Sequence, residues 1–270
     1  MSKAARERTA RERLAEERKR QAAKQKRTRT LLVGVAAVVV IAVVVAGAVL
    51  FKNKDDSAAS GYTGPLAPTT VAADGTVTMA QPTATGPTVD LYEDFQCPIC
   101  KEFEEKSGAT VKKLAGQGKI KVVYHVLGFV NQQGSVRAGA AAKCAADLGR
   151  FTQFHDVAYK EQPDERTALT LDDLKGFGKK AGITGTYDKC VTDQAFAPQV
   201  QKNTTEGLKL LSAKYGQQAG TPSMLVNGEP ISQNTMFEPS ALERALLAAA
   251  SGPSSASPSA SPSASATAKK

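Results

Sequence analysis

The chain has 270 residues, of which 41% are apolar and 23% charged, and its formal net charge is +9. That charge invites a nucleic-acid reading, but its placement argues against one: residues 1–30 hold twelve Lys/Arg and four Glu, while the rest carries 23 basic and 22 acidic residues. Four cysteines in an oxidising compartment permit one redox pair and one structural pair.

Residues 1–30 are rich in Arg, Glu, Lys, Ala and Gln, with charges at helical spacing (Arg13 and Glu17) and no apolar stripe. They read as a solvated cytoplasmic arm. Residues 31–51, Leu31 to Phe51, carry no charge. As a helix they reach roughly 31 Å, the thickness of a hydrocarbon core. A transmembrane helix is the expected reading, although Ala46-Gly47-Ala48 also resembles a cleavage site. The basic flank places the N-terminus in the cytoplasm and everything after Lys52 outside, as a single-pass membrane protein.

Residues 52–75 read as a linker, and 76–250 as one domain with a core of its own. Thr76 to Ala80 alternates as a short edge strand. Thr88 to Tyr92 and Lys119 to Leu127 are β-rich, and Pro98 to Gly116 between them reads as a helix burying Phe103, Val111 and Leu114. Strand, helix, strand at this length is a βαβ unit with a parallel pair. Helical patterns follow at Ser135 to Leu148, Phe151 to Glu161, Leu171 to Ala181 and Pro198 to Tyr215. Ser223 to Val226, the pair Asn227-Gly228 and Glu229 to Ser232 predict a hairpin. Pro239 to Ala250 is a last helix, and 251–270 is a Ser/Pro/Ala tail expected to be disordered.

The chemistry is concentrated in Asp94-Phe95-Gln96-Cys97-Pro98-Ile99-Cys100. Cys97 falls at the start of the predicted helix, where free N–H groups and the helix dipole favour an anion. Its thiolate is therefore expected to be stabilised. Pro98 suits the first helical position. Cys100 lies one turn on, placed to form a disulfide with Cys97 or to attack a mixed disulfide there. Thiol–disulfide exchange is the predicted activity, with Cys97 as the exposed nucleophile. His125 and His155 read as packing or surface residues. Zinc sites draw on two close-spaced pairs and this chain has one, so neither metal nor cofactor is expected.

Glu93-Asp94-Phe95-Gln96-Cys97-Pro98-Ile99-Cys100 resembles the active-site segment of DsbA-like thiol–disulfide oxidoreductases, in particular a membrane-anchored actinobacterial-type branch. Gly220-Thr221-Pro222-Ser223 resembles that family's cis-proline loop, and Phe154-His155-Asp156 a helix of its inserted subdomain. The resemblance covers about 76–250. It implies an α/β thioredoxin-like fold with an inserted α-helical subdomain at about 131–205. It further implies that Thr221 presents its backbone beside Cys97, where a client segment pairs, with Pro98, Ile99 and Pro222 completing the site. Cys144 and Cys190 would form a structural disulfide, the alternative being two free thiols. Clients would be exported cysteine-containing proteins, and a quinone-linked membrane partner would restore the oxidised pair. Two positions depart from the family: Ile99 stands where the most oxidising members have histidine, and Leu91 where thioredoxins bury an acid, a role the resemblance leaves to Glu93 or Asp94 as proton acceptor for Cys100, the alternative being that each is a solvated loop carboxylate. A reductase or isomerase using the same pair therefore stays open, as does a non-catalytic envelope module.

Overall fold

The computed structural model describes residues 61–250. The arm 1–30, the span 31–51, the first part of the linker and the tail 251–270 lie outside the described residues. Among the described residues no helix is long and apolar enough to cross a membrane.

Six strands form one sheet: β1 (Thr69–Val71), β2 (Val77–Met79), β3 (Thr88–Glu93), β4 (Lys121–Val126), β5 (Ser223–Val226) and β6 (Glu229–Pro230). Their order is β1-β2-β4-β3-β5-β6, with β3 and β4 parallel and every other pair antiparallel. β3 sits near the middle because its side chains are wanted on both faces. Val89 and Leu91 enter the main core, while Tyr92 joins Leu127, Leu211 and Leu225 on the opposite side. The crossover from β3 to β4 is α1 (Pro98–Phe103), a π-helical segment (Glu104–Gly108) and α2 (Ala109–Gly116). Phe103, Val111 and Leu114 are buried there.

Two readings of the strands change. Val77–Met79 is not an edge strand, since β1 pairs outside it, within the stretch read as linker. Val77 and Met79 are both fully buried, which an edge position would not give. The turn between the strands is fixed by Asp74, whose Oδ1 accepts from the N–H and hydroxyl of Thr76 at 3.0 and 2.8 Å. Thr69–Val71 is too short to announce itself by alternation.

Between β4 and β5 the chain is helical: α3 (Gln132–Asp147), α4 (Phe151–Lys160), α5 (Leu171–Lys180), α6 (Tyr187–Asp193) and α7 (Ala197–Tyr215). The last of these helices ends at Tyr215, where the sequence placed its end, so the helical run extends past the 205 read as the end of the insertion. The extension exists because Leu211 of α7 is buried beneath the sheet with Tyr92 and Leu225, and Leu208 and Tyr215 pack at its edge. Alanines at 138, 141, 142 and 145 let other helices approach α3 closely. α5 begins on a capping box in which Thr170 and Asp173 satisfy each other's backbone N–H. α6, which sequence periodicity did not single out, carries Cys190. Asn227 and Gly228, at φ 50° and 82°, make the turn between β5 and β6. α8 (Gln233–Met236) and α9 (Pro239–Ala250) complete the fold, with Leu242 and Leu246 of α9 buried.

Candidate active site

Cys97 is the residue that caps α1. Its backbone is extended (φ −81°, ψ 116°), and its carbonyl accepts from the N–H groups of Cys100 and Lys101 at 3.1 and 3.2 Å. Pro98 follows at the first helical position, so no N–H is wasted. Two glutamines hold this corner. Gln96, fully buried, donates to the Thr167 carbonyl at 2.9 Å and accepts from the Leu169 N–H at 3.0 Å. Gly134 leaves the space for it: a Cβ there would stand 1.9 Å from Gln96 Oε1. Gln162 donates to the carbonyls of Phe95 and Cys97 at 2.8 and 3.0 Å. Neither glutamine carried a signal in the sequence beyond its polarity.

The Cys97 Sγ lies 3.3 Å from the Thr221 carbonyl oxygen, to which its thiol donates, and Thr221–Pro222 is a cis peptide. Cys97 is not the exposed residue that the sequence predicts. Only 5% of it is accessible, because the proline loop covers it from the side. Pro98 and Ile99 are the exposed members of the motif, Ile99 at 46%. Pro222 is buried and lines a cleft of about 690 Å³ with Tyr215, Pro230, Ile231 and Met236.

The two sulfurs have opposite acidities. The Cys97 thiol is lowered to about 6, first by a hydrogen bond from the Cys100 thiol. The otherwise unpartnered Thr221 hydroxyl and the N–H groups of Cys100 and Ile99 add to that, and together they outweigh burial. Burial pushes Cys100 well above the ordinary thiol range, and the charges of Cys97 and Glu93 push the same way. The structure contains this pair as free thiols. A ready thiolate beside a protonated partner is the arrangement that exchange needs.

The acids before the motif are not solvated. Asp94 is fully buried and spends its carboxylate on backbone N–H groups: Gln96 at one oxygen, Phe129 and Val130 at the other, each at 2.9 Å. It is a tether between the active-site corner and the loop after β4. Glu93 is buried too, and its Oε2 lies 2.9 Å from His155 Nε2. His155 is therefore neither simple packing nor surface. It joins Glu93 to a buried group comprising Glu104, Lys112 and Asp156. Lys112 Nζ contacts Glu104 Oε2 at 3.2 Å and also Asp156 Oδ1. Burial raises Glu93 to about 7 against the pull of His155. For His155 burial works against the charge, but Glu104 and Glu93 outweigh it and lift the imidazole to about 9. Oxygens of Glu93 and Glu104 and a nitrogen of His155 lie within 4.8 Å of one another, as a metal site would require. Lys112 already supplies a cation to that cluster, so the residues do not fit a metal ion well.

His125 stands elsewhere, on β4, stacked on Tyr92 and 2.9 Å from Asp90. Cys144 of α3 and Cys190 of α6 are joined by a disulfide with Cα atoms 6.0 Å apart.

Residues 74–246 match the family described as Thioredoxin. MdbA, a thiol-disulfide oxidoreductase from Corynebacterium matruchotii, is 27% identical, with a TM-score of 0.57 over 67% of this chain and 94% of its own. DsbA from Mycobacterium tuberculosis in its reduced form is 28% identical, with a TM-score of 0.51 over 68% and 91%. A Rickettsia typhi protein provisionally named a protein-disulfide oxidoreductase is 27% identical over 139 residues, 51% of this chain and 49% of that one. The chain spans about half the length of the curated rickettsial relatives it matches. With the CxxC pair at a helix start and the cis-proline loop against it, the chain belongs to the thioredoxin family, among its DsbA-like thiol–disulfide oxidoreductases.

Proposed function

We propose that this chain is a membrane-tethered, extracytoplasmic oxidoreductase that forms disulfides in exported proteins. The observation that carries the chemistry is the Cys97 sulfur at the start of α1, 3.3 Å from the Thr221 carbonyl of the cis-proline loop, with donors about it that lower its pKa to about 6. A client thiolate attacks Cys97 of the oxidised pair. The Cys97–Cys100 bond breaks, its electron pair leaves on Cys100, and a mixed disulfide forms between client and Cys97. A second client thiolate then attacks the client sulfur of that bond and expels the Cys97 thiolate. The client is oxidised by two electrons and the enzyme reduced by two. The cleft beside Pro222 and the apolar Ile99 offer the client segment a surface next to the reacting sulfur.

A quinone-linked membrane protein is the proposed oxidant that restores the pair. The tether rests on the uncharged stretch 31–51 behind its basic arm. The Cys144–Cys190 disulfide supports an oxidising compartment for the domain.

The second reading, a reductase or isomerase, draws on Ile99 and on the same acidity. A value of about 6 lies nearer to thioredoxin's cysteine, about 7, than to that of DsbA, about 3.5. The potential against glutathione separates the two. An oxidase requires a value well above the roughly −270 mV of thioredoxin, and a value at or below that overturns the oxidase reading. For the mechanism itself, Cys97→Ser is expected to abolish oxidation of a dithiol peptide. Cys100→Ser is expected to accumulate client adducts on Cys97. Full activity of the Cys97→Ser protein overturns the assignment.

A further inference from the structure

The chain between α4 and α5, residues 161–170, is where the helical insertion meets the active-site corner. It is held at both ends. Towards α5, Gln96 takes up the Thr167 carbonyl and the Leu169 N–H, at 2.9 and 3.0 Å. Towards α4, Gln162 reaches the carbonyls of Phe95 and Cys97. The Gln162 backbone is fixed as well. Its N–H donates to the Tyr159 carbonyl at 3.3 Å, and Pro163 follows, whose ring restricts both its own backbone and that of Gln162. Cys97 is thus touched by two segments from far along the chain: the proline loop at its sulfur, through Thr221, and the insertion at its carbonyl, through Gln162.

The surroundings of Gln162 admit one orientation of its amide. A primary amide carries two N–H donors at one end and an acceptor oxygen at the other. Both N–H groups are used, on Phe95 at 2.8 Å and on Cys97 at 3.0 Å. The reverse orientation would set an oxygen against two carbonyl oxygens at those distances, with no proton between them. Oε1 is therefore turned away from both carbonyls. It has no hydrogen-bond partner among the described residues, and it is not among the buried atoms that lack one, so this half-buried side chain presents its oxygen to solvent. Gln96 differs: its nitrogen and its oxygen are both spent inside the protein. A glutamine needed only to fasten this segment would be used as Gln96 is. Gln162 fastens with one end and keeps the other.

We propose that Gln162 is a client-binding residue: its side-chain oxygen accepts a hydrogen bond from a backbone N–H of the segment whose cysteine meets Cys97. The inference rests on the exchange reading above and deepens it, adding a grip from the insertion to the one at Thr221. A backbone N–H is a donor that nearly every residue of any client offers, which suits an enzyme whose clients share only their cysteines. Because both N–H groups are anchored, the oxygen is in place before the client arrives, and little rotamer freedom remains to be lost on binding. No bond is made or broken at Gln162. It holds the client while the sulfurs exchange.

The test reduces the oxidised protein with a short two-cysteine peptide and, separately, with dithiothreitol, which has no amide to offer. The protein thiols formed are trapped and read by mass. In the peptide, backbone N–H groups are replaced one at a time by ester oxygens. A wild-type protein that neither dithiol reduces would overturn the exchange reading itself. With that reading intact, one ester is expected to lower the second-order rate of the wild type about fivefold, the loss of one hydrogen bond. In Gln162→Leu, the all-amide peptide should fall about fivefold further than dithiothreitol does, and the same ester should cost less than about twofold. A loss shared equally by peptide and dithiothreitol, or an ester cost that survives in Gln162→Leu, would make Gln162 a fastening for the corner alone and overturn the proposal. A second measurement needs no variant at Gln162. In Cys100→Ser protein joined to the peptide through Cys97, the side-chain carbonyl carbon of Gln162 should resonate differently with the all-amide peptide and with the ester at that position. Identical resonances with every ester would leave Oε1 to water and overturn the proposal as firmly.

Discussion

Cys97 and Cys144 are hidden to nearly the same degree, 5% and 2% exposed, yet their surroundings differ in kind. Around Cys97 stand hydrogen-bond donors: the Cys100 thiol, the Thr221 hydroxyl and the first amides of α1. Around Cys144 stands an alanine-lined helix face, and its partner Cys190 comes from another helix 46 positions on. Burial alone therefore does not separate a reactive cysteine from a structural one. A buried sulfur becomes a nucleophile when donors arranged about it favour the anion more than burial opposes it. It becomes a staple when its neighbours are apolar and the chain between the two cysteines is long.

The largest test of that contrast removes the staple. Replacing both Cys144 and Cys190 by Ala is expected to cost about 4 kcal/mol on the chain-entropy account, a fall in Tm of roughly 10 °C. The reaction of Cys97 with a thiol reagent at pH 7 should keep its wild-type rate in the folded variant. A variant that melts where the wild type does, or one whose Cys97 slows tenfold, would dissolve the distinction between the two pairs.

The next test compares the reduced and oxidised protein as pH changes. Only the reduced form has a Cys97 thiol to titrate. Folded, it loses its proton near pH 6, whereas in the unfolded chain a cysteine holds it to about 8.5. Between those values the unfolded state binds more protons, so the stability of the reduced form rises with pH. Relative to the oxidised form the gain is expected to reach about 2.5 kcal/mol near pH 8.5, above which the raised Cys100 thiol, also present only in the reduced form, offsets part of it, and to vanish as pH falls through 6. Glu93 and His155 titrate in both forms and largely cancel. Denaturant melts of the two forms at pH 5, 7 and 9 measure the difference, and a flat one would mean that Cys97 is an ordinary thiol.

Much of this was readable from the chain. The βαβ unit, the position of Cys97 at a helix start and the hairpin at Asn227-Gly228 are local patterns, and each lies within a few residues of where it was expected. What could not be read is what arrives from far along the sequence. The burial of Cys97 depends on Thr221, 124 positions away. Asp94 is occupied by amides 35 and 36 positions away, and Glu93 by a histidine 62 away. Two adjacent carboxylates that look alike in sequence thus have different partners, one tying loops together through backbone amides and the other meeting a buried imidazole. Periodicity reports which face a residue is on, but the partner it meets there is decided by tertiary packing.

The finest test asks how much of the Cys97 environment comes from one hydroxyl. Thr221→Val keeps the size and branching of the side chain and leaves the backbone carbonyl in place, while removing the Oγ1 that helps to lower Cys97. The variant is expected to raise the Cys97 pKa by about one unit, or about 1.4 kcal/mol, read as thiolate absorbance against pH. Because the thiolate of the reduced form is then less favoured, the potential should fall by about 30 mV at pH 8. The Cys144–Cys190 side of the comparison should not respond, so Tm of the oxidised protein should stay where it is. An unmoved Cys97 pKa would leave the Cys100 thiol and the helix amides as the whole source of its acidity. The proline loop would then serve to cover the sulfur and receive the client, with no part in ionising it.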